Sequence, residues 1–455
     1  MKKILLITTC LTLSACFSTT HYKTAQLQTP EQWSIEAAKT VPAASQENLY
    51  EWWKGFNDPT LSNLIELSLE QSPDRLIAES KIAEARGILR TTRSSLFPQI
   101  GASASVKRED ADVAGAGQYP DTFYDAGFDA SYEVDIFGRN RNNASAADDD
   151  FNAIKEQYND VTLTLIAEVS RTYIDYRAAQ NQVRIAEKNL KSQEKTMSLI
   201  NNLKTVGVAT RLDVERTSTL VNNTRASIPE YKRMEENARL RLSVLSGTFP
   251  ENLKPMVETV MAIPGANVQP ILMSPANIIS LRPDIRAAAY NLSATTNLSK
   301  AALANFFPTF NISGFYGVTE TALLGGTNIW NVAAGAAVSL LDFGRIEGQI
   351  DAADAREKQA YELYRKTVLQ AVVEVETALN DYSQITSKKA SLNKSYQSAD
   401  KALELSQVLY KEGEISFLDV LDAQRSANAA EASLVEANAA QSESLVRLYK
   451  SLGVY

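Results

Sequence analysis

Between positions 139 and 206 the chain carries neither Gly nor Pro, and apolar residues return at Phe151, Ile154, Tyr158, Val161, Leu165 and Val169. Steps of three and four predict one face of a long α-helix, about 100 Å at ~1.5 Å per residue. A second such run extends from 349 to 412. Helices of ordinary globular domains average ~11–12 residues, so a coiled-coil-like assembly is implied. Shorter helices are expected over 74–96 and 211–246, and again over 284–306 and 417–452. Stacked end to end, each pair would lie along nearly the whole of one long helix. Pro229, inside the second of them, predicts a kink.

Elsewhere the period drops to two. Tyr124, Ala126, Phe128, Ala130, Tyr132 and Val134 alternate with Asp125, Gly127, Asp129, Ser131, Glu133 and Asp135. No helix can place one such set on a single face. Trp330, Val332, Ala334, Ala336, Val338 and Leu340 repeat the pattern. Partner strands are expected at 99–107 and 309–318, with loops near 108–121 and 319–328. Membrane-spanning strands need ~9–11 residues, apolar toward lipid and polar toward the lumen. A soluble sheet with one wet face would fit any one of these strands equally well. The attachment to very long helices favours the membrane. Four strands cannot close a barrel, and an open edge in lipid leaves backbone groups unpaired, so several chains must share one barrel. After the N-terminus no stretch approaches the ~20 apolar residues of a transmembrane helix.

The two patterns belong to an internal repeat. Phe137-Gly138-Arg139 returns as Phe343-Gly344-Arg345, 206 positions later. At the same offset Gly207 returns as Gly413, Leu212-Asp213-Val214 as Leu418-Asp419-Val420, and Gly247 as Gly453. Tyr158, Glu168, Val169 and Tyr176 likewise return as Tyr364, Glu374, Val375 and Tyr382. Upstream the offset is 210: Pro73-Asp74 matches Pro283-Asp284, and Phe97-Pro98 matches Phe307-Pro308. The second copy is therefore shorter between these markers, where loops tolerate length changes best. Repeat 1 is placed at 70–247, with a strand hairpin at about 99–135 and a helical hairpin at about 139–246. Repeat 2 is placed at 281–455, with hairpins at about 309–340 and 345–452. Residues 248–280 form the linker.

Composition narrows the function classes. A net charge of −8 over 455 residues argues against a nucleic-acid partner. The single histidine, His21, leaves no imidazole for acid–base or metal chemistry in the body of the chain. The N-terminus reads as a secretory signal, with Met1-Lys2-Lys3 followed by an apolar run. It closes on Leu13-Ser14-Ala15-Cys16, which resembles the lipobox of bacterial lipoproteins. That resemblance implies cleavage after residue 15 and acylation of Cys16, with 16–69 as a lipid-anchored segment and first helix. Phe17, rather than Asp, after the cysteine implies the Gram-negative outer membrane. The competing reading is an ordinary signal peptide beside an incidental cysteine.

Together these features resemble the TolC family of outer-membrane efflux ducts, in its lipidated OprM-like branch. The residues that carry the resemblance are the lipobox, Trp52-Trp53 with Phe56 and Asp58-Pro59, the Phe-Pro and Phe-Gly-Arg junctions, and Leu-Asp-Val at the turns. The fold it implies is mainly α with membrane β, internally duplicated. Three copies would form a twelve-stranded β-barrel in outer-membrane lipid, continued by a twelve-helix periplasmic α-barrel with a mixed equatorial domain. The implied function is a passive exit duct of a tripartite efflux pump for drugs or other small molecules. Its partners would be a homotrimer, a periplasmic adaptor (membrane fusion protein) and an inner-membrane pump, with no cofactor and no enzyme activity.

The resemblance also directs attention to the helix–turn–helix tips. Asp419 and Asp422 lie three apart on one helical face, and the family implies that they close the resting pore as rings of carboxylates. Tyr410 matches a tyrosine that holds the closed tip, but the arginine that often accompanies it is Ile415 here. Val206, Gly207, Val208 and Thr210 resemble the tip motif that meets the adaptor hairpin, and Gly413 and Ser416 match it more loosely. Read from the residues alone, the acids are solvated side chains at a helix end and the glycines serve tight turns. Asp125, Asp129 and Glu133, with Asp135, share one strand face and would make the lumen electronegative. Asp148-Asp149-Asp150 reads as a solvated charge run.

Three other readings compete with the duct. A periplasmic adaptor or structural lipoprotein would share the long helices but would not need two strand hairpins of membrane length. An enzyme using Asp419 and Asp422 as paired carboxylates would lack a phosphate loop, a metal cluster and a nucleophile–histidine pair. A duct for metal ions or for type I protein secretion keeps the fold and changes the cargo; with 6 Met and 1 His, metal-ligating side chains are scarce.

Overall fold

The computed structural model describes residues 30, 32–36, 38, 41–42, 50–113, 117–265, 270–321 and 325–454, and for 110–113, 117–121 and 321 the backbone alone. Cys16 and the signal segment lie outside the described residues. A short 3-10 helix at Trp52–Phe56 leads into α1 (Pro59–Gln71) and α2 (Pro73–Ser94). Strands β1 (Gln99–Val113) and β2 (Gly117–Val134) follow, then α3 (Arg139–Thr205), α4 (Arg211–Leu245), α5 (Pro250–Val257) and α6 (Pro275–Leu281). The second copy supplies α7 (Pro283–Ala304), β3 (Thr309–Thr321), β4 (Gly325–Ala337), α8 (Arg345–Glu412) and α9 (Phe417–Leu452). The long helix α8 starts four residues earlier than the Gly-free run, because Gly348 is accommodated inside it. α4 continues through Pro229 without a break.

The chain divides into two compact units. The first contains Lys81–Glu156 and Arg286–Thr367. Its sheet is antiparallel, in the order β1-β2-β3-β4. The registers pair Ala102 with Phe128, Phe128 with Tyr316, and Tyr316 with Trp330, so even-numbered positions meet even-numbered positions throughout. One face therefore carries Ile100, Val106, Tyr124, Phe128, Ile312, Tyr316, Val318, Trp330 and Val332, all exposed. The expected loops at 108–121 and 319–328 are mostly strand: β1 runs on to Val113, β2 begins at Gly117, and β4 begins at Gly325. Alternation fades there, with Arg108-Glu109-Asp110 and Thr319-Glu320-Thr321 polar at both parities, yet the backbone ladder continues without it. β4 also ends at Ala337, short of the expected Leu340.

Two expectations are corrected in this unit. Asp135 is not a strand residue; its carboxylate accepts the Asn140 and Arg141 amides at 3.1 and 2.8 Å and caps α3. The Asp148-Asp149-Asp150 run is not simply solvated. Asp148 pairs with Arg93 of α2 at 2.7 Å, and Asp149 accepts from Ser293 and Asn297 of α7 at 2.7 and 2.9 Å. One turn of α3 thus bridges helices on both sides of it, a relation across elements that a one-dimensional pattern cannot display.

The second unit contains Thr29–Ser80, Gln157–Ile285 and Val368–Tyr455. Its core gathers Trp52, Trp53 and Phe56, the apolar face of α1, Leu165 and Val169 of the predicted α3 stripe and Tyr173 of the same helix, with Val375, Leu445, Leu448 and Leu452. Trp52 stacks on Tyr449 at 5.2 Å. Arg177 is fully buried. It donates to the Tyr173 hydroxyl, the Gln180 side chain and the carbonyls of Val257 and Thr259 at 2.6–2.9 Å. Tyr173 in turn donates to Asp58 at 2.9 Å, and Asp58 caps α1 through the Leu61 amide at 3.0 Å. The Trp-Trp…Phe-x-Asp-Pro opening is thus a core plug followed by a helix cap. A buried charge without such partners would cost several kcal/mol.

The end-to-end helix stacking is visible at its junctions. A Cβ on Gly247, just past α4, would lie 2.1 Å from the Gln71 carbonyl oxygen before α2. A Cβ on Gly453, just past α9, would lie 2.5 Å from the Arg282 side chain before α7. Arg282 locks that joint, donating to the Ser451 carbonyl at 2.8 Å and to Asp284 and Glu374 at 2.7 Å. Both glycines have positive φ. Gly207 has too, but nothing lies near it. Gly207→Ala is therefore expected to cost about 1–2 kcal/mol, the backbone strain alone, and Gly247→Ala about 1–3 kcal/mol more from the clash. Thermal unfolding of the two variants measures this, and equal shifts would mean that the joint gives way freely.

Candidate functional site

The candidate site is the pair of helix–turn–helix tips in the second unit, and it is built twice by the same local rules. α3 ends where Gly207 takes φ 80, and α8 where Gly413 does the same. The amide of Val208 returns to the Leu203 carbonyl at 2.9 Å, and that of Glu414 to Leu409 at 3.0 Å. These are the closing bonds of a glycine-terminated helix. Each following helix then opens with an acid three residues after a hydroxyl. Asp213 accepts from the Thr210 amide and hydroxyl at 2.9 and 2.6 Å. Asp419 accepts from the Ser416 amide and hydroxyl at 3.0 and 2.6 Å. The Ser416 bonds hold the Asp419 carboxyl below the usual aspartate range.

Beneath the turns, Ile200, Leu220, Phe417, Val420 and Leu421 form a small separate core that fixes one hairpin against the other. Tyr410 packs on Phe417 at 5.4 Å between centroids. Burial pushes its hydroxyl pKa up, and the negative charge of Asp213 adds to that. Asp422 is exposed and lies 3.4 Å from Arg425 on the same helix. Val206 and Val208 are about 70% exposed, at 71% and 69%, an unusual placement for two valines at a turn. A groove of about 790 Å³ runs between the hairpins and brings together Val208, Tyr410, Gly413, Ile415, Phe417 and Lys195. Val206, Thr210 and Ser416 lie outside its lining.

Sequence reasoning singled out Asp419 and passed over its twin Asp213, although Thr210-x-x-Asp213 carries the same capping signature. It also passed over Asp175 and Glu443, which lie together on a groove of about 560 Å³ lined by α3, α4 and α9. Burial, then the Asp175 charge and a hydrogen bond to it, push Glu443 up to about 7, so the pair shares a proton at acid pH. Arg171, Arg241, Glu168 and Arg447 are the other charged groups that bear on the pair. On the polar face of the sheet, Asp129 accepts from Ser103 at 2.6 Å, and Asp125 accepts from Thr319 at 2.6 Å and Ser105 at 3.3 Å. Glu133 pairs with Arg139.

Comparison with known proteins assigns the class. The sequence profile of the family described as outer membrane efflux protein matches residues 64–248 and 275–454. The chain belongs to that family, and it is an outer-membrane efflux channel protein of the TolC type. It is 29% identical to the pyoverdine export outer membrane protein OpmQ of Pseudomonas aeruginosa, over 100% of this chain and 97% of that one. It is 27% identical to the probable outer membrane lipoprotein SilC of Salmonella typhimurium, over 99% and 98%. Among solved structures, the outer-membrane channel OprN superposes with a TM-score of 0.89 at 30% identity, covering 96% of this chain and 99% of that chain.

The shared proton has a pH signature. A carboxyl whose folded pKa is raised binds protons that the unfolded chain has released, so stability falls as pH rises from the ordinary glutamate range, ~4.3, toward 7. Glu443→Gln should flatten that stretch of the curve and melt a few degrees above the parent at pH 8, by roughly 2–4 °C for each kcal/mol. Melting curves from pH 5 to 8 that keep the parental slope would exclude Glu443 as the proton holder.

Proposed function

We propose that three copies of the chain assemble into a passive exit duct, anchored in the outer membrane by acylated Cys16 and open to the periplasm at the hairpin tips. An inner-membrane pump supplies the energy, and a periplasmic adaptor meets the tips. The observation that carries this reading is the duplicated tip: two glycine turns with the same closing bonds, set on one small core. At the first turn, exposed Val206 and Val208 offer an adaptor hairpin apolar contact, while Gly207 allows close approach. Thr210, Gly413 and Ser416 complete the surface. Asp419 and Asp422 of three copies face the narrow end as rings of carboxylates that close it and bind cations, with Tyr410 bracing the hairpin behind them. Asp125, Asp129 and Glu133 line the barrel interior. The chain itself carries out no chemistry and needs no cofactor.

The cargo follows the pump. OpmQ is named for pyoverdine export, and CusC of Escherichia coli, 26% identical to this chain, for a cation efflux system, so relatives of one fold serve different cargoes. Drugs and other small organic molecules are the class we assign.

Single-channel recording of purified protein in planar bilayers tests the duct and its gate. The parent should open rarely or to small levels, and Asp419→Ala/Asp422→Ala should conduct several-fold more. Equal, large conductance in both would keep the duct and remove these acids as its gate. Trimeric, inserted protein that conducts in neither form would sink the channel reading. The anchor is tested separately: radiolabelled palmitate should enter the parent and not Cys16→Ala, and equal labelling would place the lipid elsewhere.

A further inference from the structure

The two helical hairpins are braced internally. Within the first, Glu187 and Glu194 of α3 pair with Lys232 and Arg225 of α4 at 2.9 and 2.8 Å. Within the second, Lys389 of α8 donates to Gln441 of α9 at 2.6 Å, and Gln441 donates to Thr386 of α8 at 3.1 Å. The seam between the hairpins runs along α3 and α9 and is tied differently. Gln182 donates to the Ala432 carbonyl at 3.1 Å. The Glu431 carboxylate accepts from Asn189 at 3.4 Å and lies 3.5 Å from the Lys188 ammonium.

Below this tie the seam changes character. From Gln193 to the tips no hydrogen bond or ion pair joins the hairpins among the described residues, and the small core of Ile200, Leu220, Phe417, Val420 and Leu421 is what holds them. The groove between the hairpins begins there, at Ser192 and Lys195. Glu431 is also where the two copies part ways. Its repeat equivalent is Arg225, which turns back onto Glu194 of its own hairpin. Glu431 turns to the other hairpin instead. Its side chain is 17% exposed and that of Lys188 66%. A distance of 3.4 Å is beyond the usual range for an N–H···O bond, and a pair with so exposed a lysine is weak. Leaving the half-buried carboxylate in place without these partners would cost more than the tie itself. Release of the tie and movement of α9 toward water therefore go together.

We propose that Glu431 is a latch between the hairpins. Held by Lys188 and Asn189, it keeps α9 on α3 and the tips together; when it lets go, the second hairpin swings from the first as a braced unit and the passage at the tips widens. Weak contacts suit this duty, because a tie that must part cannot be a deep one. The internal pairs of each hairpin, shorter and on other helix faces, stay made throughout. The proposal rests on the duct reading above and adds the place at which the two halves of each copy separate.

Charge exchange tests the latch in the purified full-length protein, by single-channel recording with melting temperature and trimer content measured alongside. Glu431→Lys and Lys188→Glu each set like charges face to face, and each should open several-fold more often than the parent at unchanged trimer content. Lys188→Glu/Glu431→Lys restores an opposite pair and should return to the parental frequency, a rescue that general loosening of the bundle would not give. Glu431→Gln keeps the shape without the charge and should fall between the parent and Glu431→Lys. In the other direction, Lys188→Cys/Glu431→Cys joined by a short cleavable thiol linker should hold the Asp419→Ala/Asp422→Ala protein near the parental level until the linker is cut. Single variants that conduct like the parent, an exchange no quieter than either of them, or linked protein that opens freely would overturn the latch and leave the duct standing. Trimeric, inserted protein that is silent in every form would remove the duct and the latch with it.

Discussion

A sheet of four antiparallel strands ends in two rows of unpaired backbone groups, here on β1 and β4. In hydrocarbon each unsatisfied group costs several kcal/mol, and no choice of side chains removes that cost. The constraint explains features that otherwise look unrelated. Over Ile100–Val106, Tyr124–Val134, Phe310–Val318 and Trp330–Ala336 the even-numbered face is apolar on all four strands because every register keeps parity, as a sheet facing lipid would need on the proposed duct reading. The polar face keeps its acids hydrogen-bonded to hydroxyls on adjacent strands, as Asp129 to Ser103 and Asp125 to Thr319. On the proposed duct reading duplication serves closure, because a chain that already pairs one repeat with the other, through β2 and β3, carries both kinds of edge strand.

The helical half follows a parallel logic. A long helix can bury a stripe only if something covers its full length, and each repeat provides two shorter helices that abut at a glycine. At Gly247 and Gly453 the abutment is so close that a single methyl group would collide. The joint between them is where Trp52, Trp53 and Phe56 fill the core and where Arg177 ties α3 to the carbonyls of Val257 and Thr259 at the end of α5. The N-terminal aromatic cluster therefore holds together the place where both helix pairs change partners.

Much of this was legible in the sequence because periodicity reports burial directly. The stripe of α3, the alternation of β2 and the offsets of the repeat each reflect a face that must be apolar or a turn that must be glycine. What stayed illegible were relations between elements. Beyond Lys107 and before Tyr124 polar residues such as Arg108, Glu109, Asp110 and Thr122 fall at both parities, so pattern stops while strand pairing continues to Val113 and from Gly117. The loss of alternation looked like a loop. Asp148 and Asp149 looked like surface charge because their partners, Arg93, Ser293 and Asn297, are distant in sequence. Asp135 continued the strand alternation by parity, yet its carboxylate turns to cap α3.

The tips show where duplication ends and specialisation begins. Asp419 has a twin in Asp213, and both carboxylates are committed to the same hydroxyl and amide, so Asp419 by itself does not distinguish the second hairpin from the first. Three other positions do. Tyr410 stands where the first hairpin has Lys204, Ile415 where it has Ala209, and Asp422 where it has Arg216. A carboxylate that caps a helix cannot swing without unravelling the first turn. Asp422 is tied only by an exposed pair with Arg425, an interaction of about 0.3–0.5 kcal/mol in helices of this kind. On the proposed duct reading, the two acids then have different duties. Asp419 fixes the end of α9 as a rigid edge, and Asp422, one turn further along, is the charge free to answer a passing cation or a neighbouring copy. The replacement of arginine by aspartate between hairpins 1 and 2 reverses the sign of the field at that one ring, which is what a constriction built from only one of two otherwise matched hairpins requires.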